Sequence, residues 1–187
     1  EIYTPLRILY GQPPKTFDFE YTDTDKVYHC DRGLTPKSFL EKYVGNDFDD
    51  YVVIISSPIH EIDRTYCQPF MGDVVEDNMF WLNLSQEELE DLTIRQLQAG
   101  EGVMFSCDCH PDGDRTNGYW DPDCFQYGKV LGGLTFHMTK AERLLTRDST
   151  MNHCMMFCGV NLEENGTANR WKIENSWGDA SGQKGYF

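Results

Sequence analysis

Two segments near the end of the 187-residue chain hold residue types that suit catalysis by a thiol. Met151-Asn-His153 opens an apolar run, and Asn175-Ser-Trp-Gly178 follows about twenty residues later. An imidazole stabilises a neighbouring thiolate and later protonates a leaving amine. An amide oxygen that accepts from the other ring N–H orients the imidazole without adding a charge. We therefore interpret His153 as a general acid–base, Asn175 as its orienting group and Trp177 as a cover that keeps water from their hydrogen bond.

A turn signal between these two segments predicts that they pair. Asn165-Gly166 is the strongest short hairpin signal in the chain, and candidate strands flank it at residues 151–161 and 170–175. Side chains alternate between the two faces of a strand, so an antiparallel hairpin can bring the Asn175 amide to the His153 ring. We expect a hydrogen bond of about 2.6–3.2 Å between them.

Capping signals predict helices earlier in the chain. Thr35-Pro36 places a capping hydroxyl before a first-turn proline and predicts a helix over residues 36–44. Ser85-Gln-Glu-Glu88 is a capping box, and Gly100 ends the helix that it begins. Further candidates are a helix over residues 140–147 and strands over residues 51–57 and 102–107.

Composition argues against two classes of partner. The 16 Lys and Arg residues stand against 31 Asp and Glu residues, which gives a formal net charge of −15. Nucleic acid is therefore not supported as a partner, because affinity for phosphates comes from clustered basic residues. No apolar run approaches the roughly 18 residues of a membrane-spanning helix, so no membrane partner is expected.

Seven cysteines cannot all pair within one chain, and free thiols in a reducing compartment are the simpler interpretation. Cys107-Asp-Cys109-His110, with Cys124 downstream, offers three thiols and an imidazole to a zinc ion. The spacing lacks the two-residue gap of a metal-binding knuckle. We expect structural or surface thiols, and no metal or organic cofactor.

The final segment resembles the papain-like cysteine peptidases through Asn175-Ser-Trp-Gly178. It is similar, more specifically, to the bleomycin hydrolase and bacterial aminopeptidase C branch. The segments that carry this second resemblance are Arg170-Trp-Lys-Ile-Glu-Asn-Ser-Trp-Gly-Asp179, Gly182-Gln-Lys-Gly-Tyr-Phe187, Lys140-Ala-Glu-Arg-Leu144, Glu101-Gly-Val-Met-Phe-Ser-Cys-Asp108 and Thr35-Pro-Lys-Ser-Phe-Leu-Glu-Lys-Tyr43.

This resemblance implies an α+β fold in which an antiparallel, partly barrel-like β domain at residues 101–187 carries His153 and Asn175. Residues 35–100 would form a helical middle region, and residues 1–34 a connecting arm. The implied activity is hydrolysis of N-terminal peptide bonds through a Cys-His-Asn arrangement, with His153 and Asn175 as catalytic residues. The branch forms cytoplasmic hexamers that enclose the active sites, which implies a homo-oligomer and peptide substrates.

The sequence departs from the family at the nucleophile. The family's nucleophilic Cys, in a Gln-Gly-x-Cys-Trp type segment, and its oxyanion-hole Gln have no counterpart here. We therefore expect the C-terminal portion of a larger enzyme, truncated at both ends, inactive alone and dependent on an N-terminal portion. Cys107 is the local alternative nucleophile, since Cys154 should face away from His153. A second hypothesis is a non-catalytic binding or assembly module on a degenerate peptidase scaffold.

Overall fold

The computed structural model describes residues 2–45, 50–68, 79–109, 112–135 and 137–187. The chain divides into two compact units, Glu1–Val52 and Val53–Phe187. Helices and strands occur in both units, which makes the fold α+β, as expected. The division of the chain at residues 34 and 100 remains a prediction.

The first unit is a β-hairpin packed against a short helix. Its apolar centre is aromatic: the Phe19 ring lies 4.9 Å, centroid to centroid, from both Phe39 and Tyr43. The elements are α1 (Tyr3–Tyr10), β1 (Phe17–Thr22), β2 (Tyr28–Leu34), α2 (Pro36–Phe39) and a π-helical turn (Leu40–Val44).

The helix over residues 36–44 is confirmed, with its second half wound as the π-helical turn. The Thr35 hydroxyl accepts the backbone N–H of Ser38, as a capping residue does. The hairpin before it was not predicted, although Phe17-Asp-Phe-Glu-Tyr21 alternates aromatic and acidic residues as a half-buried strand does.

The second unit contains a mixed three-stranded sheet. Its strands are β3 (Val53–Ile55), β4 (Arg64–Gln68) and β5 (Met79–Asn83). Strand β5 lies in the centre, parallel to β3 and antiparallel to β4. The strand predicted over residues 51–57 is confirmed as the shorter β3, while β4 and β5 were not predicted.

One fully buried amide ties this sheet to the loop that follows β3. The Asn83 Nδ2 group donates to the carbonyls of Ser57, His60 and Glu61 at 3.0–3.3 Å. Its Oδ1 accepts the backbone N–H of Ser57 at 2.8 Å. A buried polar side chain is tolerated when its hydrogen bonds are made, and Asn83 meets that condition.

A second sheet, wholly antiparallel, has the strand order β10-β9-β6. The helix begun by the Ser85 capping box is confirmed as α3 and contacts β6 and β9. The Asn165-Gly166 hairpin is also confirmed, and it joins β9 to β10. The bounds are α3 (Gln86–Gln98), β6 (Val103–Cys107), β9 (His153–Leu162) and β10 (Ala168–Glu174).

The pairing of β9 with β10 contains two irregularities that cancel. One extra residue on β10 lies between Ala168 and Arg170, and one extra residue on β9 lies between Phe157 and Gly159. Each bulge shifts the register by one position, in opposite senses. The end of β10 therefore returns to the register at which the hairpin started.

The inner face of this sheet carries the aromatic packing. Phe105 on β6 stacks on Phe157 on β9, with ring centroids 3.8 Å apart. Met155 lies two residues closer to the start of β9, opposite Phe105, and is buried. Residues of α3 share a small pocket with Phe157 and Trp171, so the helix lies across this face.

The other elements of the second unit are short. Strands β7 (Gly113–Asp114) and β8 (Tyr119–Trp120) form a small hairpin. Helices α4 (Tyr127–Val130) and α5 (Lys140–Leu145) follow, and α5 confirms the third predicted helix. Among the described residues the strands form open sheets and no closed barrel. No helix in the described ranges is long and apolar enough to cross a membrane.

We predict that Asn83→Ala lowers the free energy of unfolding by about 2 kcal/mol, because the substitution removes four hydrogen bonds from a buried site. Urea unfolding of the protein that carries this chain measures the change. Asn161→Ala is the matched control: its side chain is exposed, and we expect a change within about 0.5 kcal/mol. Equal losses in the two variants would contradict this account.

Candidate active site

The structure brings His153 and Asn175 into direct contact. His153 is the first residue of β9, and Asn175 directly follows the last residue of β10. The His153 Nε2 atom lies 2.8 Å from the Asn175 Oδ1 atom. The predicted contact is confirmed, and it spans the two strand ends at one edge of the inner face.

Neighbouring hydrogen bonds settle which ring nitrogen carries the proton in neutral His153. Asn175 Oδ1 also accepts the backbone N–H of Ser176 at 2.8 Å, which identifies it as the amide oxygen. An amide oxygen only accepts, so the Nε2–H of His153 is the donor. The Nδ1 atom therefore holds the lone pair, and no described residue hydrogen-bonds to it.

Trp177 packs against His153 beside this hydrogen bond. Its ring stacks on the His153 imidazole, with centroids 5.0 Å apart and an interplanar angle of 20°. Phe187 meets Trp177 edge-on at 5.6 Å, and Trp120 lies 5.8 Å away. A hydrogen bond shielded from water is electrostatically stronger than an exposed one.

The final residues of the chain hold Asn175 in place through the backbone. Ile173 and Phe187 exchange two hydrogen bonds, at 2.8 and 2.9 Å. The backbone N–H of Asn175 donates to the carbonyl of Gly185 at 3.0 Å. The segment 185–187 thus adds to the free edge of β10, which explains why Gly185-Tyr-Phe187 accompanies the asparagine motif.

Asn152, which the sequence analysis did not single out, joins the start of β9 to the end of β6. Its backbone N–H donates to the carbonyl of Cys107 at 3.1 Å. Its Oδ1 accepts the backbone N–H of Cys109 at 3.1 Å, and its Nδ2 donates to Asp108 at 2.6 Å. The one sequence feature that could have drawn attention to Asn152 is its place directly before His153.

Cys107 lies opposite His153 in the β6–β9 pairing, so their side chains leave the same face. Burial raises the pKa of the Cys107 thiol to about 11, and Cys109, Asp108 and Cys154 add to that rise. A protonated thiol is a poor nucleophile. Cys154 is exposed on the opposite face, as predicted. No cysteine in the described part of the chain hydrogen-bonds to His153.

The cluster considered for zinc is only partly described, because His110 lies outside the described residues. Cys109 is buried, and its Sγ lies 3.2 Å from the Asn152 Oδ1 atom. Among the described residues no group of three or more His, Cys, Asp or Glu side chains is placed to hold a metal ion. All seven cysteines are free thiols.

Comparison with known proteins gives a consistent result. A family model described as the Peptidase C1-like family matches residues 1–187. Aminopeptidase W of Lactobacillus delbrueckii subsp. lactis is 42% identical over 189 residues, covering 100% of this chain and 43% of that protein. Aminopeptidase E of Lactobacillus helveticus is 43% identical over 194 residues, with 100% and 43% covered.

A solved structure agrees with the fold. The crystal structure of PepW from Lactobacillus rhamnosis superposes with a TM-score of 0.94 at 43% sequence identity. The match covers 100% of this chain and 42% of that one. The chain therefore spans less than half the length of these relatives.

We predict that iodoacetamide alkylates Cys107 much more slowly than the exposed Cys154 at pH 7.5, because burial keeps the Cys107 thiol protonated. The Cys107 rate should rise about tenfold for each pH unit between pH 7 and 9, since that range lies below its pKa. Peptide mapping by mass spectrometry measures both rates. Faster labelling of Cys107 than of Cys154 at pH 7.5 would show that His153 activates Cys107.

Proposed function

Because the chain belongs to the Peptidase C1-like family, we propose that it forms the acid–base half of a cysteine-type aminopeptidase active site. In this proposal His153 is the general acid–base, Asn175 orients it and Trp177 shields their hydrogen bond. The reaction is hydrolysis of the N-terminal peptide bond of a peptide substrate. The aminopeptidase assignment draws on relatives that carry that name.

The 2.8 Å hydrogen bond from His153 to Asn175 is the single observation that carries this proposal. It uses Nε2–H and leaves Nδ1 for a thiol, which is the division of roles that thiol catalysis needs. His153 takes the thiol proton through Nδ1, and the thiolate attacks the substrate carbonyl. His153 then protonates the leaving amine, and water later hydrolyses the acyl-enzyme.

We place the nucleophilic Cys in a segment outside residues 1–187. The nearest candidate within the chain, Cys107, is held as a thiol by burial. Exposed apolar side chains in the second unit support a partner segment: Met104 is 71% exposed and Val130 is 84% exposed. Large apolar groups left open to solvent are typical of surfaces that another protein segment covers.

We predict that His153→Ala, in a protein that carries this chain and the nucleophile segment, lowers kcat/KM at least about 10³-fold, because it removes the group that moves the proton. Asn175→Ala should cost about 10- to 100-fold, because the imidazole loses its orientation but not its chemistry. Release of a fluorophore from an aminoacyl amide measures both values.

Asn161→Ala is the control for these two variants, because it changes an exposed asparagine on the same hairpin. We expect its kcat/KM to stay within about twofold of the unmodified protein. The purified 187-residue chain alone should release no fluorophore. Full activity of His153→Ala would contradict the catalytic role of His153. Absence of activity in the unmodified protein would favour the alternative, a non-catalytic binding or assembly module on a peptidase scaffold.

The proposal also covers the oligomeric state of the protein and its cellular compartment. We propose a cytoplasmic homo-hexamer, as the resemblance to the bleomycin hydrolase branch implies, and the seven free thiols suit a reducing compartment. We predict a particle of six times the protomer mass in sedimentation of the native protein. A monomer at micromolar concentration would contradict this prediction.

A further inference from the structure

We propose that Arg115 is a positioning residue, which holds the Trp177 ring over the hydrogen bond between His153 and Asn175. The inference rests on the proposed function and deepens it, because it assigns a new residue to the same site. The described ring contact of Arg115 is with Trp177, and neither His153 nor Asn175 hydrogen-bonds to its side chain. Its effect passes through the indole.

The contact geometry joins the guanidinium to the imidazole through one ring. The Cζ atom of Arg115 lies 4.3 Å from the centroid of the Trp177 ring. The same ring stacks on His153 at 5.0 Å. A guanidinium within about 6 Å of an indole centroid is attracted by the negative face of the ring. Trp177 is therefore held by a cation as well as by its aromatic neighbours.

Acidic residues lie near Arg115 in the sequence, but the described contact of its guanidinium is with the Trp177 ring. The chain carries 31 acidic residues against 16 basic ones, and Asp112 and Asp114 lie within three positions of Arg115. Even so, Arg115 forms no ion pair with any residue in the described ranges. The Asp114 carboxylate instead accepts the N–H groups of Thr116 and Asn117, including the Asn117 side-chain amide.

The backbone of Arg115 is anchored to the loop that follows Trp177. Its carbonyl accepts the N–H of Gly182 at 3.0 Å. The Gln183 side-chain amide donates to the Asn117 carbonyl at 3.0 Å. Gly118 has a positive φ of 77°, and a Cβ there would lie 2.9 Å from the Gly182 Cα. The β7–β8 turn and the Trp177 loop thus approach as closely as backbone atoms allow.

This arrangement has a consequence for turnover. An indole that leaves its position admits water to the His153 Nε2–H and weakens the hydrogen bond that orients the imidazole. The orientation of the acid–base affects the chemical steps, so loss of the contact between Arg115 and Trp177 should lower kcat. In this proposal Arg115 acts through the indole and carries no binding role, so KM for a neutral aminoacyl amide should change little.

The test compares Arg115→Met with Arg115→Lys in the active protein. Arg115→Met should lower kcat about 3- to 10-fold with KM within twofold, and Arg115→Lys should recover part of the loss, because it keeps the cation. In a Trp177→Leu background Arg115→Met should have no further effect. Proton NMR of the His153 Nε2–H should show faster exchange with water in Arg115→Met.

Arg170→Met is the control, because Arg170 is an exposed arginine on the same hairpin as His153. It should leave kcat and the proton exchange unchanged. Unaltered kcat and unaltered exchange in Arg115→Met would overturn the inference, and so would an equal loss in the Trp177→Leu background. Circular dichroism checks that each variant is folded, and Arg115→Gln replaces Arg115→Met if that variant is not. Activity that survives His153→Ala would overturn the proposed function instead.

Discussion

The hydrogen bond between His153 and Asn175 depends on one register, that of β9 against β10. A slip by one residue would turn one of the two side chains to the other face of the sheet. The hairpin contains two bulges, and either bulge alone would cause such a slip. Because they lie on opposite strands, the register at the catalytic end is restored, and the two side chains meet at 2.8 Å.

Around that hydrogen bond the chain builds its support from one short segment. Trp177 supplies the cover, Gly185 accepts the backbone N–H of Asn175, and Phe187 both pairs with Ile173 and packs against the indole. The orienting amide, its backbone anchor and its aromatic neighbour therefore lie within one short stretch of chain and contact one another. A site held in this way keeps its geometry better than one on an isolated loop.

Cys107 lies close to His153 but is poorly suited to act as a nucleophile. The pairing of β6 with β9 sets the two residues opposite each other. The same burial that stabilises the sheet keeps the thiol protonated, with a pKa near 11. A thiolate needs a neighbouring positive charge or solvent. Cys107 is partly buried and its pKa is raised despite its place opposite His153. This chemistry favours a nucleophile that approaches from elsewhere.

Local patterns in the sequence were sufficient for the hairpin, the three predicted helices and the shared face of His153 and Asn175. Each depends on hydrogen bonds or alternation within a few residues, which the sequence displays directly. Strands β4 and β5 were missed, since a short strand is defined by a pairing partner that can lie anywhere along the chain. Residues Asn152 and Arg115 were missed for the same reason: Arg115 reaches Trp177 only because a turn docks on a distant loop. The sequence by itself determined which residue types could perform the chemistry and on which strand faces they lie. Only the tertiary structure decided the register, the cover and the protonation of Cys107, because these depend on contacts between segments far apart in the chain.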